Sequence, residues 1–271
     1  MHPFQRTELL LGKDGWSRLQ QARIMVVGLG GVGGYAAEAL ARAGVGHLTL
    51  VDFDKVCLTN VNRQVHALRK TVGASKAGLM AERCRGINPK IDLSAHAVFF
   101  EAGNADSLLA PGYDVVLDAI DNVTAKIALL ADCHRRGQRV ISAMGAGGRT
   151  DPTRIRVTDI EHTARDPLAR VVRRELRSQG IERGIECVWT DEPTNELDQE
   201  VQDEFHCICP WGDNDHHTCS HRNVVQGTVS WIPAMFGMMM AGTAVNRLLG
   251  RAVQSADRRP QTAAIDVPPT R

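Results

Sequence analysis

Arg23-Ile24-Met25-Val26-Val27 runs directly into Gly28-Leu29-Gly30-Gly31-Val32-Gly33, and the fold turns on how this stretch is read. The apolar, partly β-branched run has the character of a buried parallel strand. Tyr35 to Ala43 is rich in Ala, Leu and Glu, so a helix is predicted where the glycines stop. A second apolar run, His47 to Val51, ends on Asp52. Strand, glycine turn, helix, strand and acid make a nucleotide-binding βαβ unit. Gly28, Gly30, Gly31 and Gly33 let backbone N–H groups approach a phosphate, and the helix N-terminus adds partial positive charge. Asp52, at the tip of the second strand, is placed to accept hydrogen bonds from a ribose.

A glycine fingerprint alone suggests a dehydrogenase; the residues after Asp52 argue against one. Asp52-Phe53-Asp54 leads into Asn60-Val61-Asn62-Arg63-Gln64, and Val72-Gly73-Ala74-Ser75-Lys76 opens the next helix. An arginine, a lysine and several amides therefore follow the ribose acid closely. A dinucleotide needs a groove for its second nucleotide, whereas a triphosphate needs cations and donors around three phosphates. The cations favour a triphosphate.

Further along, Lys76 to Arg85 is predicted helical and stops at Gly86-Ile87-Asn88-Pro89. Ile91 to Phe100 has strand character, and Asn104 to Leu109 is a short helix before Pro111-Gly112. Tyr113 to Leu117 is the next buried strand and ends on Asp118-Ala119-Ile120-Asp121-Asn122. A helix from Val123 to Arg136, a strand from Arg139 to Ala143 and the loop Gly145-Ala146-Gly147-Gly148 follow. The order is that of a doubly wound, mostly parallel α/β sheet with a Rossmann-like nucleotide-binding half. Ligands of such sheets gather at the carboxyl ends of the strands, where the glycine turn, Asp52 and Asp118–Asn122 all fall. Asp121 reads either as a cap of the following helix or as a magnesium or phosphate-side ligand; its place beside the glycine turn favours the ligand.

Arg154 to Val157 is another strand, and then the composition changes. Residues 165–183 hold six arginines against three acids, and Arg170, Arg173, Arg174 and Arg177 share one helical face. That face is either simply solvated or a contact surface for a phosphate backbone. Residues 191–215 reverse the balance, with nine acids and no Lys or Arg, as in an exposed loop. His206-Cys207-Ile208-Cys209 and His216-His217-Thr218-Cys219-Ser220-His221 bring potential zinc ligands together, without the paired CxxC spacing of a zinc ribbon. A redox-sensitive cysteine near the nucleotide is the competing reading.

Lys+Arg 32 against Asp+Glu 31 requires any nucleic acid to be met by a local patch. Met1 to Gln21 is polar and charged, so no signal peptide is expected, and irregular cysteine spacing fits a reducing cytoplasm. Trp16 to Gln21 is predicted as a short helix. Gly227 to Leu249 only just reaches the length of a membrane span and contains Pro233, Gly237, Gly242 and Asn246; a buried interface helix is the expectation. Residues 1–160 are read as the nucleotide-binding core, 161–250 as its completion through the arginine helix, acidic crossover loop and apolar helix, and 251–271 as a disordered tail.

At Gly28–Gly33, Asp52-Phe53-Asp54, Asn60–Gln64, Lys76 and Asp121-Asn122 the chain resembles the ubiquitin-activating-enzyme-like (ThiF/MoeB/HesA) superfamily. Within it, residues 54–69, Gly145–Gly148, Asp151-Pro152-Thr153, Val157–Ile160 and Asp166–Ala169 are similar to the tRNA threonylcarbamoyladenosine dehydratases. The resemblance implies an ATP- and Mg²⁺-dependent, homodimeric ligase that adenylates the threonylcarbamoyl carboxylate of a tRNA adenosine, followed by dehydrative cyclisation. It implies that Gly30 and Gly31 contact phosphate, with Gly28, Gly33, Asp54, Asn60, Gln64 and Asn122 completing the nucleotide site. Asp52 would hold the ribose, Arg63 and Lys76 would neutralise the triphosphate, and Asp121 would hold Mg²⁺. Arg6 would reach across the dimer to the partner's γ-phosphate, and the arginine helix would contact tRNA. The pattern departs near Glu192, where Cys219 is the nearest equivalent of the family's crossover cysteine; Cys187 is a second candidate for thiol chemistry. A sister activity, adenylation of the C-terminal glycine of a ubiquitin-like sulfur carrier with a sulfur-transfer partner, uses the same nucleotide residues. A non-catalytic nucleotide-binding scaffold would not need Arg63, Lys76 and Asp121 together.

Overall fold

The computed structural model describes residues 2–204 and 227–253. Helix α1 (Gln5–Gln21) bends at Gly12 and leads into β1 (Arg23–Val27). There follow α2 (Gly33–Ala43), β2 (His47–Val51), α3 (Lys76–Ile87), β3 (Asp92–His96), α4 (Ala105–Leu109), β4 (Val115–Asp118), α5 (Val123–Arg135) and β5 (Val140–Ala143). The chain continues through β6 (Ile155–Asp159), α6 (Pro167–Ser178), β7 (Glu186–Thr190), α7 (Gln199–Glu204) and α8 (Trp231–Leu248).

The strands form one seven-stranded sheet in the order β3-β2-β1-β4-β5-β7-β6, parallel except for β6, which runs antiparallel to β7. Strand order reverses between β1 and β4, so the crevice of a doubly wound sheet opens at the carboxyl ends of these two strands. The β1 side chains alternate between two cores. Ile24 and Val26 join Leu40 of α2, Met80 of α3 and Phe236 and Met240 of α8. Met25 and Val27 join Leu129 and Leu130 of α5 and Val172 and Leu176 of α6. Burial on both faces explains why β1 reads as a continuous apolar run rather than an alternating one.

Several expectations are corrected. The predicted six-residue helix before β1 is the end of the longer α1, whose Phe4 and Trp16 stack on each other. Residues 227–249 are not one apolar rod: α8 starts at Trp231, and among the described residues no helix is long and apolar enough to cross a membrane. The acidic stretch is not wholly loop, because Gln199–Glu204 is helical and Glu192 is buried. Residues beyond 160, read as completing the nucleotide-binding core, supply β7 between β5 and β6 of the same sheet. Cys207, Cys209, Cys219 and the histidines around them, like most of the tail, lie outside the described residues.

Candidate active site

β1 delivers the glycine turn to the crevice. Gly28 donates its N–H to Val51 O at 2.8 Å and takes φ 86°; a Cβ there would stand 2.6 Å from the Ala119 carbonyl oxygen. Gly33, the first residue of α2, lies so close to the Gly28 carbonyl that any side chain would overlap it. Close packing of the β1 and β4 loops and the α2 N-terminus is thus possible only with glycine at both positions. An opening of this kind suits an anion, which the helix N-terminus favours.

Asp52 ties the β2 tip to this turn. Its Oδ2 accepts the Leu29 N–H at 2.6 Å and its Oδ1 the Asp54 N–H at 2.7 Å. A carboxylate has about four acceptor sites, so two backbone bonds leave capacity for ribose hydroxyls. Lys76, buried at the start of α3, donates from Nζ to Asp54 Oδ2 at 2.7 Å. Burial pushes the Asp52 carboxyl up, against the pull of the Lys76 charge. Burial also disfavours the Lys76 ammonium, but Asp52, Asp54 and Asp121 outweigh it and hold its pKa above the ordinary value. Lys76 therefore remains a fixed cation among three carboxylates.

The Asn60–Gln64 turn lies against the glycines. The Arg63 carbonyl oxygen would be 3.2 Å from a Cβ on Gly31, and its Nη1 donates to Thr59 O at 2.8 Å and Asn62 Oδ1 at 3.0 Å. Gln64 is buried with Nε2 facing Gly30, and its Oε1 is left without a hydrogen-bond partner among the described residues. A buried amide oxygen in that state costs free energy unless a donor meets it. Asn60 has a different local task from the nucleotide contact expected of it: its Oδ1 accepts the Cys57 N–H at 3.0 Å.

On the β4 side, Asn122 is the cap of α5, its side chain accepting the Ala125 N–H at 3.0 Å. This leaves Asp121 exposed and outside the cap, in the electrostatic field of Lys76. Below it Lys126 is fully buried, donating to Asp118 Oδ2 at 2.6 Å, Ser142 Oγ at 3.3 Å and Ala143 O at 3.0 Å. Asp118 Oδ1 accepts the Ile120 N–H at 3.1 Å, so the ion pair braces the turn that carries Asp121. Sequence reasoning missed Lys126, although a signal existed: residues 126, 129, 130 and 133 share the buried face of α5.

The loop after β5 forms the other bank. Asp166 caps α6 by accepting the Ala169 N–H and reaches the Gly145 N–H, both at 3.0 Å, while burial pushes its carboxyl up. Glu192 accepts the N–H groups of Thr150 and Asp151 at 3.0 and 2.9 Å; burial opposes its charge, but these donors hold it below the ordinary carboxylate value.

Not every predicted residue joins this crevice. Arg6 is exposed on α1, two residues after Phe4, which with Trp16 packs at Gly44 beyond the far end of α2, away from the glycine turn. The arginine face is three residues rather than four: Arg170, Arg174 and Arg177 are exposed, whereas Arg173 turns inward to Thr163 O at 2.7 Å. Cys187 is fully buried in β7 and its thiol is pushed well above its ordinary pKa by desolvation, an environment that suppresses thiolate chemistry. Among the described residues no cluster of three or more His, Cys, Asp or Glu could hold a metal ion. A magnesium ion that takes one protein carboxylate plus phosphate oxygens needs no such cluster, and Asp121 offers that carboxylate.

A doubly wound sheet whose switch-point crevice joins a glycine turn, a buried acid at the β2 tip, two cations and an exposed carboxylate defines a nucleotide-activating α/β protein. The chain belongs to the ThiF family, whose profile matches residues 4–268. It is 40% identical over 249 residues to the tRNA threonylcarbamoyladenosine dehydratase of Bacillus subtilis, covering 92% of this chain and 95% of that one. The crystal structure of the E. coli tRNA N6-threonylcarbamoyladenosine dehydratase in complex with ATP is similar, with TM-score 0.78 and 37% identity over 92% of this chain and 94% of that one. Likeness to the E. coli molybdopterin-synthase adenylyltransferase, 40% identical over 120 residues, covers only 44% of this chain and 48% of that protein.

Proposed function

We propose that the protein is an ATP-dependent dehydratase acting on threonylcarbamoyladenosine in tRNA. The observation that carries this reading is the extent of likeness: the B. subtilis and E. coli dehydratases match over up to 92% of the chain, whereas the E. coli molybdopterin-synthase adenylyltransferase matches over 44%.

In this reading a threonylcarbamoyl carboxylate oxygen attacks the α-phosphorus of ATP, the bond to the β-phosphate bridging oxygen breaks, and pyrophosphate leaves. The neighbouring carbamoyl nitrogen or oxygen then attacks the activated carbonyl, AMP carries away the former carboxylate oxygen, and the nucleoside has formally lost water. Displacement at phosphorus needs alignment and charge neutralisation more than acid–base work. Arg63 and Lys76 supply the neutralisation, the glycine turn holds phosphate oxygens, and Asp52 orients the ribose. Asp121 would hold Mg²⁺, which contributes charge neutralisation at the phosphates. A homodimer would allow Arg6, exposed on α1, to enter the partner's site. Arg170, Arg174 and Arg177 on α6 would contact the tRNA backbone.

The test is release of AMP and pyrophosphate from Mg-ATP with threonylcarbamoyl-modified tRNA, unmodified tRNA and a purified sulfur-carrier protein. Release with modified tRNA alone, with the nucleoside one water lighter, is the expected result. Release with the carrier alone would overturn it.

A further inference from the structure

The reaction brings together groups held on opposite banks of the crevice. In the adenylation reading the triphosphate cations follow β2 and the loop after β5, on the opposite bank, serves as the acceptor loop; β1 and β4 lie between these strands in the sheet. Among the described residues, the short segment that leads into α8 is hydrogen-bonded to both banks. Residues 227–231, which lead into α8, are fastened to the acceptor loop twice: Gly148 N–H donates to Gly227 O, and Trp231 Nε1 donates to Thr150 O, both at 2.8 Å. The departing limb is fastened to the same loop, where Asn195 N–H donates to Gly148 O at 2.8 Å.

The contact with the phosphate bank is made by Asn62. Its Nδ2 donates to Thr228 O at 2.9 Å, and its Oδ1 accepts from Arg63 Nη1 at 3.0 Å. A single amide thus holds the triphosphate arginine with its oxygen and the acceptor-side segment with its nitrogen. Pro233, in the first turn of α8, also lies against Gly31, so the two banks are packed as well as hydrogen-bonded.

We propose that Asn62 is a positioning residue that couples triphosphate binding at Arg63 to the placement of residues 227–231 and, through Gly148 and Thr150, of the acceptor loop. This rests on the adenylation reading above. An in-line attack tolerates little misplacement between nucleophile and leaving group, so a link between the structures that hold them bears on the rate as well as, by reciprocity, on nucleotide affinity.

The experiment compares the wild-type chain with Asn62→Asp and Asn62→Ala. Asp keeps the oxygen facing Arg63 but replaces the donor to Thr228 with a second oxygen; Ala removes both. Readouts are the ATP dissociation constant, amide hydrogen exchange at residues 227–231 with and without Mg-ATP, and kcat and KM for modified tRNA. Mg-ATP is expected to slow exchange at 227–231 in the wild type but not in Asn62→Asp. At saturating Mg-ATP that variant, whose carboxylate also weakens ATP binding through Arg63, should lose about fivefold in kcat/KM for tRNA, the equivalent of one net hydrogen bond. Slowed exchange that persists in Asn62→Asp, or a loss confined to ATP affinity, overturns the coupling. A wild-type chain that binds ATP with no change in exchange also overturns it, while one that binds no ATP overturns the adenylation reading and the proposal with it.

Discussion

At the scale of single residues, the site depends on small changes with large steric or electrostatic consequences. Gly33→Ala drives a methyl group into the Gly28 carbonyl, and the expected result is loss of ATP binding with the glycine turn displaced, read by nucleotide titration. Lys76→Ala leaves Asp52 and Asp54 without their cation. It is expected to abolish AMP formation and to lower stability by about 3 kcal/mol, measured from urea midpoints. His66 gives a pH signature. Burial, reinforced by Lys76 and Arg83, lowers its pKa from 6.5 to about 4, and both ring nitrogens lack partners among the described residues. The unfolded chain therefore takes up the proton first as pH falls. Stability from this group is full above pH 6.5 and is lost as pH falls toward 4, by up to about 3 kcal/mol. Stability curves between these pH values should show the slope, and His66→Phe should flatten it; an equal slope in the variant would remove His66 as its source.

At the scale of elements, α6 separates two tasks that its sequence merges. Arg173 secures the turn before the helix, while Arg170, Arg174 and Arg177 face solvent. Replacing the three exposed arginines with Ala is expected to weaken tRNA binding and to reduce the salt-dependence slope by about 2, at roughly 0.7–0.9 per phosphate contact. ATP affinity should not change. A slope equal to the wild type's would place the RNA on another surface. α5 follows the turn that carries Asp121, and its Lys126 pairs with Asp118 in a fully buried brace with every lysine proton satisfied. Breaking a buried pair from one side typically costs about 3–5 kcal/mol, so Lys126→Met should lower the thermal midpoint well before any effect on chemistry is measured.

At the scale of the whole molecule, Arg6 is informative because it lies on α1, away from the glycine turn of its own chain. If it acts across a homodimer, Arg6→Ala and Arg63→Ala should each be inactive, yet mixing and reassociating them should restore activity. Each mixed dimer would carry one intact site. No recovery from dimers shown by sedimentation to have exchanged subunits would confine Arg6 to a structural role.

The nucleotide half was legible because its signals are local. Gly28–Gly33 and Asp52 are placed at the ends of β1 and β2 by turn sterics and by spacing along a βαβ unit, so their positions can be read without knowledge of distant contacts. Strand β1 could be delimited from its apolar run alone, and it runs from Arg23 to Val27 as read. What only the tertiary structure decided are the partners between segments far apart in the chain. Lys126 had the spacing of a core residue, but its meeting with Asp118 and Ser142 follows from β4 and β5 lying side by side. Asn122 rather than Asp121 caps α5, a choice between adjacent residues that backbone direction makes and composition does not. Arg173 leaves the helical face it shares by spacing because a carbonyl and hydroxyl from Thr163 are within reach. Asn62 could be read as one more amide in a phosphate motif; its bond to Thr228, far along the chain, exists only because the sheet brings both ends of the crossover segment back to the crevice. Local sterics and charge set which groups can bind a nucleotide, and long-range packing sets which of them are held, braced or freed to do so.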